Sequence, residues 1–254
     1  MRFCSLGSGS EGNGLVVESG DTRVLIDCGF GVRETALRLA RAGLQPQSLT
    51  AIIVTHEHAD HVGGVPAFAG RHGIAVWGSF GTLAAVAARF EGLDRVQGFD
   101  SHAAFAIGDL EITPVPVPHD AREPTQFVLG DGDVRLGVLT DLGVATPHVE
   151  ACLSGCDALV LETNHCLDLL AESDYPYPLK QRIAGRLGHL DNRSSAALLG
   201  RIDTSRLRHV VAAHLSQQNN TPGKARAALA EALGCGEDWI GVASQAEGFG
   251  WRDL

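Results

Sequence analysis

Three histidines and an aspartate lie within six positions of the sequence, directly after a short apolar run. The run Ile52-Ile53-Val54 is rich in β-branched residues and predicts a buried strand that stops at Thr55. The polar residues that follow are His56, His58, Asp60 and His61. Neutral imidazole nitrogens and carboxylate oxygens are ligands that bind zinc, manganese or iron. The spacing His-x-His-x-Asp-His therefore favours a metal site at a strand end over a polar loop that merely faces solvent.

Other apolar runs also stop at residues that can bind a metal. His119 follows the extended, proline-rich run 113–118, Asp141 follows the run 134–140, and His214 follows the run 208–213. Each of these residues alone is more typical of an ordinary surface or core position. Together with the first group they predict one shared metal-binding edge.

The segment 52–64 resembles the metal-binding signature of the metallo-β-lactamase superfamily. That resemblance implies an α/β (α+β) fold, a four-layer αββα sandwich, with the metal site at one edge. Matched residue by residue, one ion would be held by His56, His58 and His119, and the other by Asp60, His61 and His214. Asp141 resembles the carboxylate that bridges them. The implied cofactor is two divalent metal ions (Zn, Mn or Fe).

Length and composition favour one globular domain, residues 1–254, with a sizeable core. The chain is 44% hydrophobic and 20% charged, and no segment reaches the roughly 20 apolar residues that span a bilayer. Its start lacks a secretion signal and its six cysteines form no disulfide-like pattern, so we expect a cytoplasmic protein without membrane contact. The spacing Cys152-x-x-x-Cys156 lacks a second ligand pair for zinc. A net charge of −10 argues against non-specific nucleic-acid binding by bulk charge.

Two N-terminal features leave more than one interpretation. The stretch 7–14 contains G-x-G-x-x-G, but the strand-like Leu15-Val16-Val17-Glu18 follows where a dinucleotide site needs a helix. We therefore expect a tight turn or a loop near the metal edge. Asp27 ends a third strand before Cys28-Gly29 and resembles a residue that orients a ligand imidazole, although a turn-forming Asp fits equally well.

One segment of this acidic chain, residues 180–193, is rich in basic residues. A helix predicted over 179–187 would place Arg182 and Arg186 one turn apart on one face, with His189 three residues further on. Lys180 and Arg193 flank them. Basic donors bind phosphate oxygens, although the same pattern is typical of a solvated helix face.

Further motifs sharpen the resemblance to the WalJ (YycJ-like) branch of the superfamily. They are Gly-Ser-Gly-Ser-x-Gly-Asn at 7–13, Glu162-Thr163-Asn164-His165, Tyr-Pro…Leu-Lys-x-Arg-Ile at 175–183, Gly-His-Leu-x-Asn at 188–192, and Leu215-Ser216-x-x-Asn219-Asn220-Thr221-Pro222. The branch is described as metal-dependent 5′→3′ DNA exonucleases. Asp191 and Cys166 depart from its usual Ser and Asp, which affects expectations about substrate preference.

Together these features predict a dinuclear metallohydrolase that cleaves phosphodiester bonds, and the resemblance implies DNA as substrate and cleavage from a 5′ end. Catalytic roles are expected for Asp60, His189 and His214. Substrate phosphate is expected to contact Arg182, Arg186, His189, Asn192 and His165. The alternatives are a phosphodiesterase for small or cyclic phosphates, a lactone or thioester hydrolase, and a binding protein without activity. The oligomeric state stays open.

Overall fold

Two seven-stranded sheets make up the centre of the structure, a computed structural model that describes residues 1–254. The strands are β1 (Arg2–Gly7), β2 (Gly14–Ser19), β3 (Thr22–Ile26), β4 (Ala51–Ile53), β5 (Ala75–Ser79), β6 (Val96–Phe99), β7 (Phe105–Ile107), β8 (Leu110–Pro116), β9 (Thr125–Gly130), β10 (Arg135–Leu139), β11 (Ala158–Glu162), β12 (His209–Ala213), β13 (Ile240–Val242) and β14 (Phe249–Asp253). The α-helices are α1 (Val32–Arg41), α2 (Ala59–Val62), α3 (Val65–His72), α4 (Phe80–Val86), α5 (Pro147–Leu153), α6 (Leu167–Glu172), α7 (Tyr177–Ile183), α8 (Asn192–Leu199) and α9 (Pro222–Leu233).

Each sheet contains a run of parallel strands. The first has the order β14-β1-β2-β3-β4-β5-β6 and the second β13-β12-β11-β10-β9-β8-β7. Strands β3 to β6 are parallel, and so are β10 to β13. The last strand returns to the first sheet and pairs antiparallel with β1, with Arg2 opposite Asp253. The chain ends are thereby joined in one sheet.

Alternate residues of the central strands face two different cores. In β3, Val24 and Ile26 belong to the core between the sheets, whereas Leu25 belongs to an outer core shared with α1 and α3. In β11, Val160 faces the inner core and Leu161 a second outer core under α8 and α9. Strands buried on both faces are continuously apolar, as these are. The predicted αββα sandwich is confirmed.

Most predicted elements are present, but one helix ends earlier than predicted. Instead of running to 187, α7 stops at Ile183, and the His189 amide turns back to donate to the Ile183 carbonyl at 2.9 Å. Gly185 and Gly188 disfavour continued helix and allow this reversal. The prediction that Arg182 and Arg186 share one helix face was therefore wrong. Strand β6 and helices α5 and α6 were not predicted.

The carboxyl ends of six strands meet at one edge of the sandwich. Strands β3 and β4 are parallel in one sheet, while β10, β11 and β12 are parallel in the other. Strand β8 runs in the same direction as β10, since both pair antiparallel with β9. Loops after parallel strands meet at one edge, which is where open α/β sheets place their sites. None of the nine α-helices combines the length and the apolar composition that a membrane span requires.

Candidate metal centre

Three imidazoles converge at the ends of β4 and β8. His56, His58 and His119 each present one ring nitrogen, and these atoms lie within 4.8 Å of one another. The nitrogens on the far sides of the rings are held elsewhere. His119 Nδ1 is 2.9 Å from the Gly188 carbonyl, and His56 Nδ1 is 2.9 Å from Thr55 Oγ1. A nitrogen that donates outward leaves its ring partner free to bind a cation.

His58 also has one ring nitrogen held from outside and the other facing the cluster, but the two nitrogens have exchanged places. Its Nε2 is 3.2 Å from the Asp120 carbonyl, so Nδ1 faces the cluster and lies 3.3 Å from His119 Nε2. Two nitrogens at this distance compete for one proton or share one cation. The first predicted triad is thus assembled with its free nitrogens directed inward.

Asp60, His61 and His214 form a second group beside the first. Asp60 Oδ2 is 3.2 Å from His61 Nε2 and 3.3 Å from His214 Nε2. His61 Nδ1 donates to Asp27 Oδ2 at 2.7 Å, which leaves Nε2 facing the group. Asp27 also accepts from the Thr55 amide at 2.8 Å. Of the two interpretations of Asp27, the structure therefore supports a residue that orients an imidazole.

Asp141 lies between the two triads. Its Oδ2 is 3.2 Å from His61 Nε2, its Oδ1 is 3.9 Å from His119 Nε2, and the side chain is buried. Asp141 Oδ2 and His56 Nε2 are both buried and lack a hydrogen-bond partner. Orphaned buried polar atoms of this kind are costly unless a ligand satisfies them. A set of imidazole and carboxylate groups with free lone pairs suits zinc, manganese or iron.

The backbone is strained at two residues of this edge. Asp27 has φ of 60° and His214 has φ of 53°, in the left-handed region that few non-glycine residues adopt. Such conformations cost about 1–3 kcal/mol each and persist where the surroundings impose them. The backbone is also closely packed at this edge, because a Cβ on Gly29 would overlap the Asp60 carbonyl.

Burial and mutual charge shift the pKa values of the centre apart. Burial and the neighbouring His61 lower the pKa of His56 well below its usual range. For His214 burial acts in the same direction, but Asp141 and Asp60 outweigh it and raise its pKa to about 10. His61 is raised likewise by Asp141 and Asp60. Although burial opposes it, the histidines hold the pKa of both Asp60 and Asp141 below the ordinary range. The metal-free centre thus carries protons that a cation would displace.

His189 reaches the centre from the loop between α7 and α8. Its Nδ1 donates to Glu162 Oε1 at 2.6 Å and lies 3.6 Å from Asp141 Oδ1. The His189 ring stacks on that of His214 with centroids 5.3 Å apart. Its side chain is 20% exposed, whereas His214 is buried. Among the imidazoles outside the two triads, this one can reach a substrate.

Glu162 was missed as a site residue. It is completely buried at the end of β11, where Oε2 accepts from the amides of Leu142 at 2.8 Å and Leu190 at 3.1 Å. Its carboxylate thereby joins the loops that carry Asp141 and His189. Glu162 could have been identified from the sequence, because a charged residue at the buried end of an otherwise apolar strand indicates a functional or structural role.

The other residues predicted to bind phosphate take different positions. Arg182 is exposed, and its Nε donates to Asp120 Oδ2 at 2.6 Å; Arg186 is exposed on the following loop. His165 and Asn192 are buried, and Asn192 exchanges two hydrogen bonds with Asn220, at 2.8 and 3.0 Å. The structure brings only the two arginines of this group to the surface near the metal edge.

The glycine-rich loop after β1 also reaches this edge. It connects β1 and β2, so the predicted strand follows it and not the helix that a dinucleotide site needs. Asn13 Nδ2 is 3.2 Å from His61 Nε2 and 3.3 Å from Asp60 Oδ2, while Ser8 Oγ accepts from the His214 amide at 2.9 Å. Asn13 and Ser8 were not predicted individually, although a loop near the metal edge was.

Comparisons with known proteins agree with this geometry. Residues 22–214 match the β-lactamase superfamily domain. The exodeoxyribonuclease YycJ of Bacillus anthracis is 30% identical over 235 residues, covering 92% of this chain and 89% of that protein. The chain belongs to the metallo-β-lactamase superfamily, in its YycJ-like branch.

Two further matches cover nearly the full length. The exodeoxyribonuclease WalJ of Streptococcus pneumoniae is 30% identical over 247 residues, covering 95% of this chain and 91% of that protein. The crystal structure of the metallo-β-lactamase fold protein YhfI from Bacillus subtilis superposes with a TM-score of 0.76 at 15% identity, covering 99% of each chain. This member of the superfamily is a metal-dependent hydrolase.

Proposed function

We propose that the chain is a two-metal phosphodiesterase that degrades DNA from a 5′ end. One observation carries the proposal: two three-residue groups of inward-facing donors flank the buried carboxylate of Asp141. His56, His58 and His119 would hold one ion. Asp60, His61 and His214 would hold the other, and Asp141 would contact both. The names of the two exodeoxyribonuclease relatives support a nuclease and are the reason for proposing DNA as its substrate.

Divalent cations bound there would make a water molecule more acidic and neutralise charge developing on a phosphate group. The remaining steps fall to the chain's own side chains. Asp60, which lies at the edge of its triad and is 21% exposed, can accept a hydrogen bond from an attacking water. His214 Nε2 lies 3.3 Å from that carboxylate, so the two side chains face the same position and could hold one ion between them.

His189 suits the proton transfer to the leaving group. Because Nδ1 donates to Glu162, the opposite nitrogen is free to face substrate. The buried Glu162 carboxylate accepts this hydrogen bond and fixes the orientation of the ring. A protonated His189 can therefore give its proton to the leaving oxygen when the P–O bond breaks.

Measurements of metal content and of the polarity of DNA cleavage test the proposal. Elemental analysis should give two divalent ions per chain, and Asp141→Ala should lose at least one of them because it removes the shared ligand. Wild-type protein with manganese should release a 5′ label from single DNA strands as mononucleotide. Digestion from the 3′ end, or tight binding of two ions by Asp141→Ala, contradicts the proposal. Turnover of cyclic phosphates or lactones in preference to DNA would favour the corresponding alternative.

A further inference from the structure

An apolar groove of about 390 Å³ lies between α6 and α7. Leu167, Leu170 and Ala171 line it on one side, and Tyr177 and Ala184 on the other. Its volume falls within the roughly 300–1,000 Å³ of ordinary ligand pockets. Tyr177 is 70% exposed and Leu167 is 38% exposed, so the fold does not bury these side chains. A patch of exposed apolar side chains indicates a binding surface more often than a packing need.

The Tyr177 ring is exposed but held in place. Gln181 Nε2, one helical turn further on, donates to the Tyr177 hydroxyl at 2.6 Å. Lys180 Nζ donates to the Ala171 carbonyl at 2.7 Å and ties α7 to α6 across the groove. A ring fixed by its hydroxyl presents a flat apolar face with little conformational entropy left to lose on binding.

Hydrogen bonds connect α7, which lines the groove, to the metal edge. Arg182, at the other end of α7, donates to Asp120, and the Asp120 carbonyl is 3.2 Å from His58 Nε2. The Asp120 amide in turn donates to the Leu187 carbonyl at 3.0 Å. Tyr177 and Arg182 are five positions apart on α7, which is about 7.5 Å along the helix axis.

The α7 side of the groove carries the charges that suit a nucleic-acid strand. Lys180, Arg182 and Arg186 lie on α7 and the loop after it, and both arginines are exposed. Three carboxylates lie on and after α6, at Asp168, Glu172 and Asp174, so a strand would run along the α7 side. Cations beside an aromatic platform are the combination that binds single strands, because phosphates meet the cations while bases stack on the ring. An apolar groove without cations would fit an apolar protein segment instead.

We propose that this groove binds an unpaired nucleobase of the strand being cleaved, stacked on the face of Tyr177. The inference rests on the proposed phosphodiesterase function and adds its substrate class: strands with an unpaired base near the scissile phosphate. Every base has an aromatic face, so the groove accepts all four. Paired bases of a duplex are already stacked, so a duplex end must fray before it occupies the groove.

Binding measurements on metal-loaded protein test the groove separately from catalysis. Fluorescence anisotropy is measured with a phosphorothioate-protected single strand that resists cleavage, and with an abasic strand of equal length. Tyr177→Ala should weaken binding of the base-containing strand about 5- to 150-fold. Its effect on the abasic strand should be much smaller, and Tyr177→Trp should retain base-dependent binding. Trp239→Ala is the matched control, since it removes an aromatic ring that is 40% exposed just before β13, at the opposite end of the parallel strands.

Three results would overturn the groove assignment. They are equal losses on the two strands, loss of base-dependent binding in Tyr177→Trp, and a dimer in sedimentation that Tyr177→Ala dissociates. A failure of the proposed phosphodiesterase function would give a different result from a failure of the groove assignment. In that case the wild type would bind base-containing strands more tightly than abasic ones yet hydrolyse no phosphodiester with any divalent metal.

Discussion

At the residue scale, His189 differs from the other imidazoles of the centre. Of the five imidazoles in the two triads, His56, His61, His119 and His214 are buried and His58 is 27% exposed. His189 is partly exposed, belongs to neither triad, and donates to Glu162. It also lies within ligand distance of Asp141, Glu162 and His214, so a role as a metal ligand has to be separated from a role in proton transfer.

The substitution His189→Ala separates these roles. If His189 handles the proton of the leaving group, the variant should keep its metal content and lose about a hundred- to ten-thousand-fold in phosphodiester turnover. Glu162→Gln, which keeps the size and a hydrogen-bond acceptor but removes the charge, should lose less. Turnover per folded molecule is measured beside metal content. Loss of an ion from His189→Ala would assign a ligand role, and unchanged turnover would assign a purely structural one.

At the element scale, the loop that carries His189 is positioned by contact with the loop after β10. Gly143 makes this contact, since a Cβ there would overlap the Arg186 carbonyl and crowd the Gly188 amide. The Gly143 amide also donates to the Pro118 carbonyl at 2.8 Å, next to His119. The loops after β8, β10 and α7 are thus packed together through one glycine.

The substitution Gly143→Ala should therefore push the His189 loop away from the centre. We expect a loss of about 1–3 kcal/mol in the free energy of unfolding, typical of overpacking, and a fall in turnover larger than the loss of folded protein explains. Gly223→Ala is the control, because no atom lies within 4 Å of the position its Cβ would take and alanine favours helix there. Equal behaviour of the two variants in urea unfolding and in turnover would contradict this role for Gly143.

The same scale shows what the sequence could and could not predict. The ligand groups were predictable because apolar runs end at His56, His119, Asp141 and His214, and parallel strands bring such ends together. The end of α7 was not predicted, since Lys180, Gln181 and Arg182 favour helix and the helix predicted there was extended across Gly185. The contact between Glu162 and His189 joins residues 27 positions apart, and no local pattern reports that distance. Burial of His165 and Asn192 likewise depends on the packing of loops.

At the scale of the whole molecule, the protons of the centre link metal binding to stability. The chain carries a formal charge of −10, which two divalent cations would reduce to −6. In the metal-free fold the carboxylates Asp60 and Asp141 have lowered pKa values, so their stabilising contribution is present at neutral pH and is lost only in acid. His214 and His61 have raised pKa values and act in the opposite direction.

The pH dependence of metal-free and metal-loaded protein should therefore diverge above neutral pH. The contribution of His214 is fully present below its unfolded pKa of about 6.5 and is lost as pH rises toward its folded pKa of about 10. Between pH 6.5 and 9 metal-free protein should thus lose up to about 1.4 kcal/mol of unfolding free energy per pH unit for each such proton. A cation replaces these protons, so metal-loaded protein should not show this loss, and the stability difference between the two forms should widen with pH. Urea unfolding of both forms at several pH values measures that difference, and calorimetry in buffers of different ionisation enthalpy counts the one or two protons released on binding. A constant difference together with no proton release would show that His61 and His214 are already neutral in the metal-free fold.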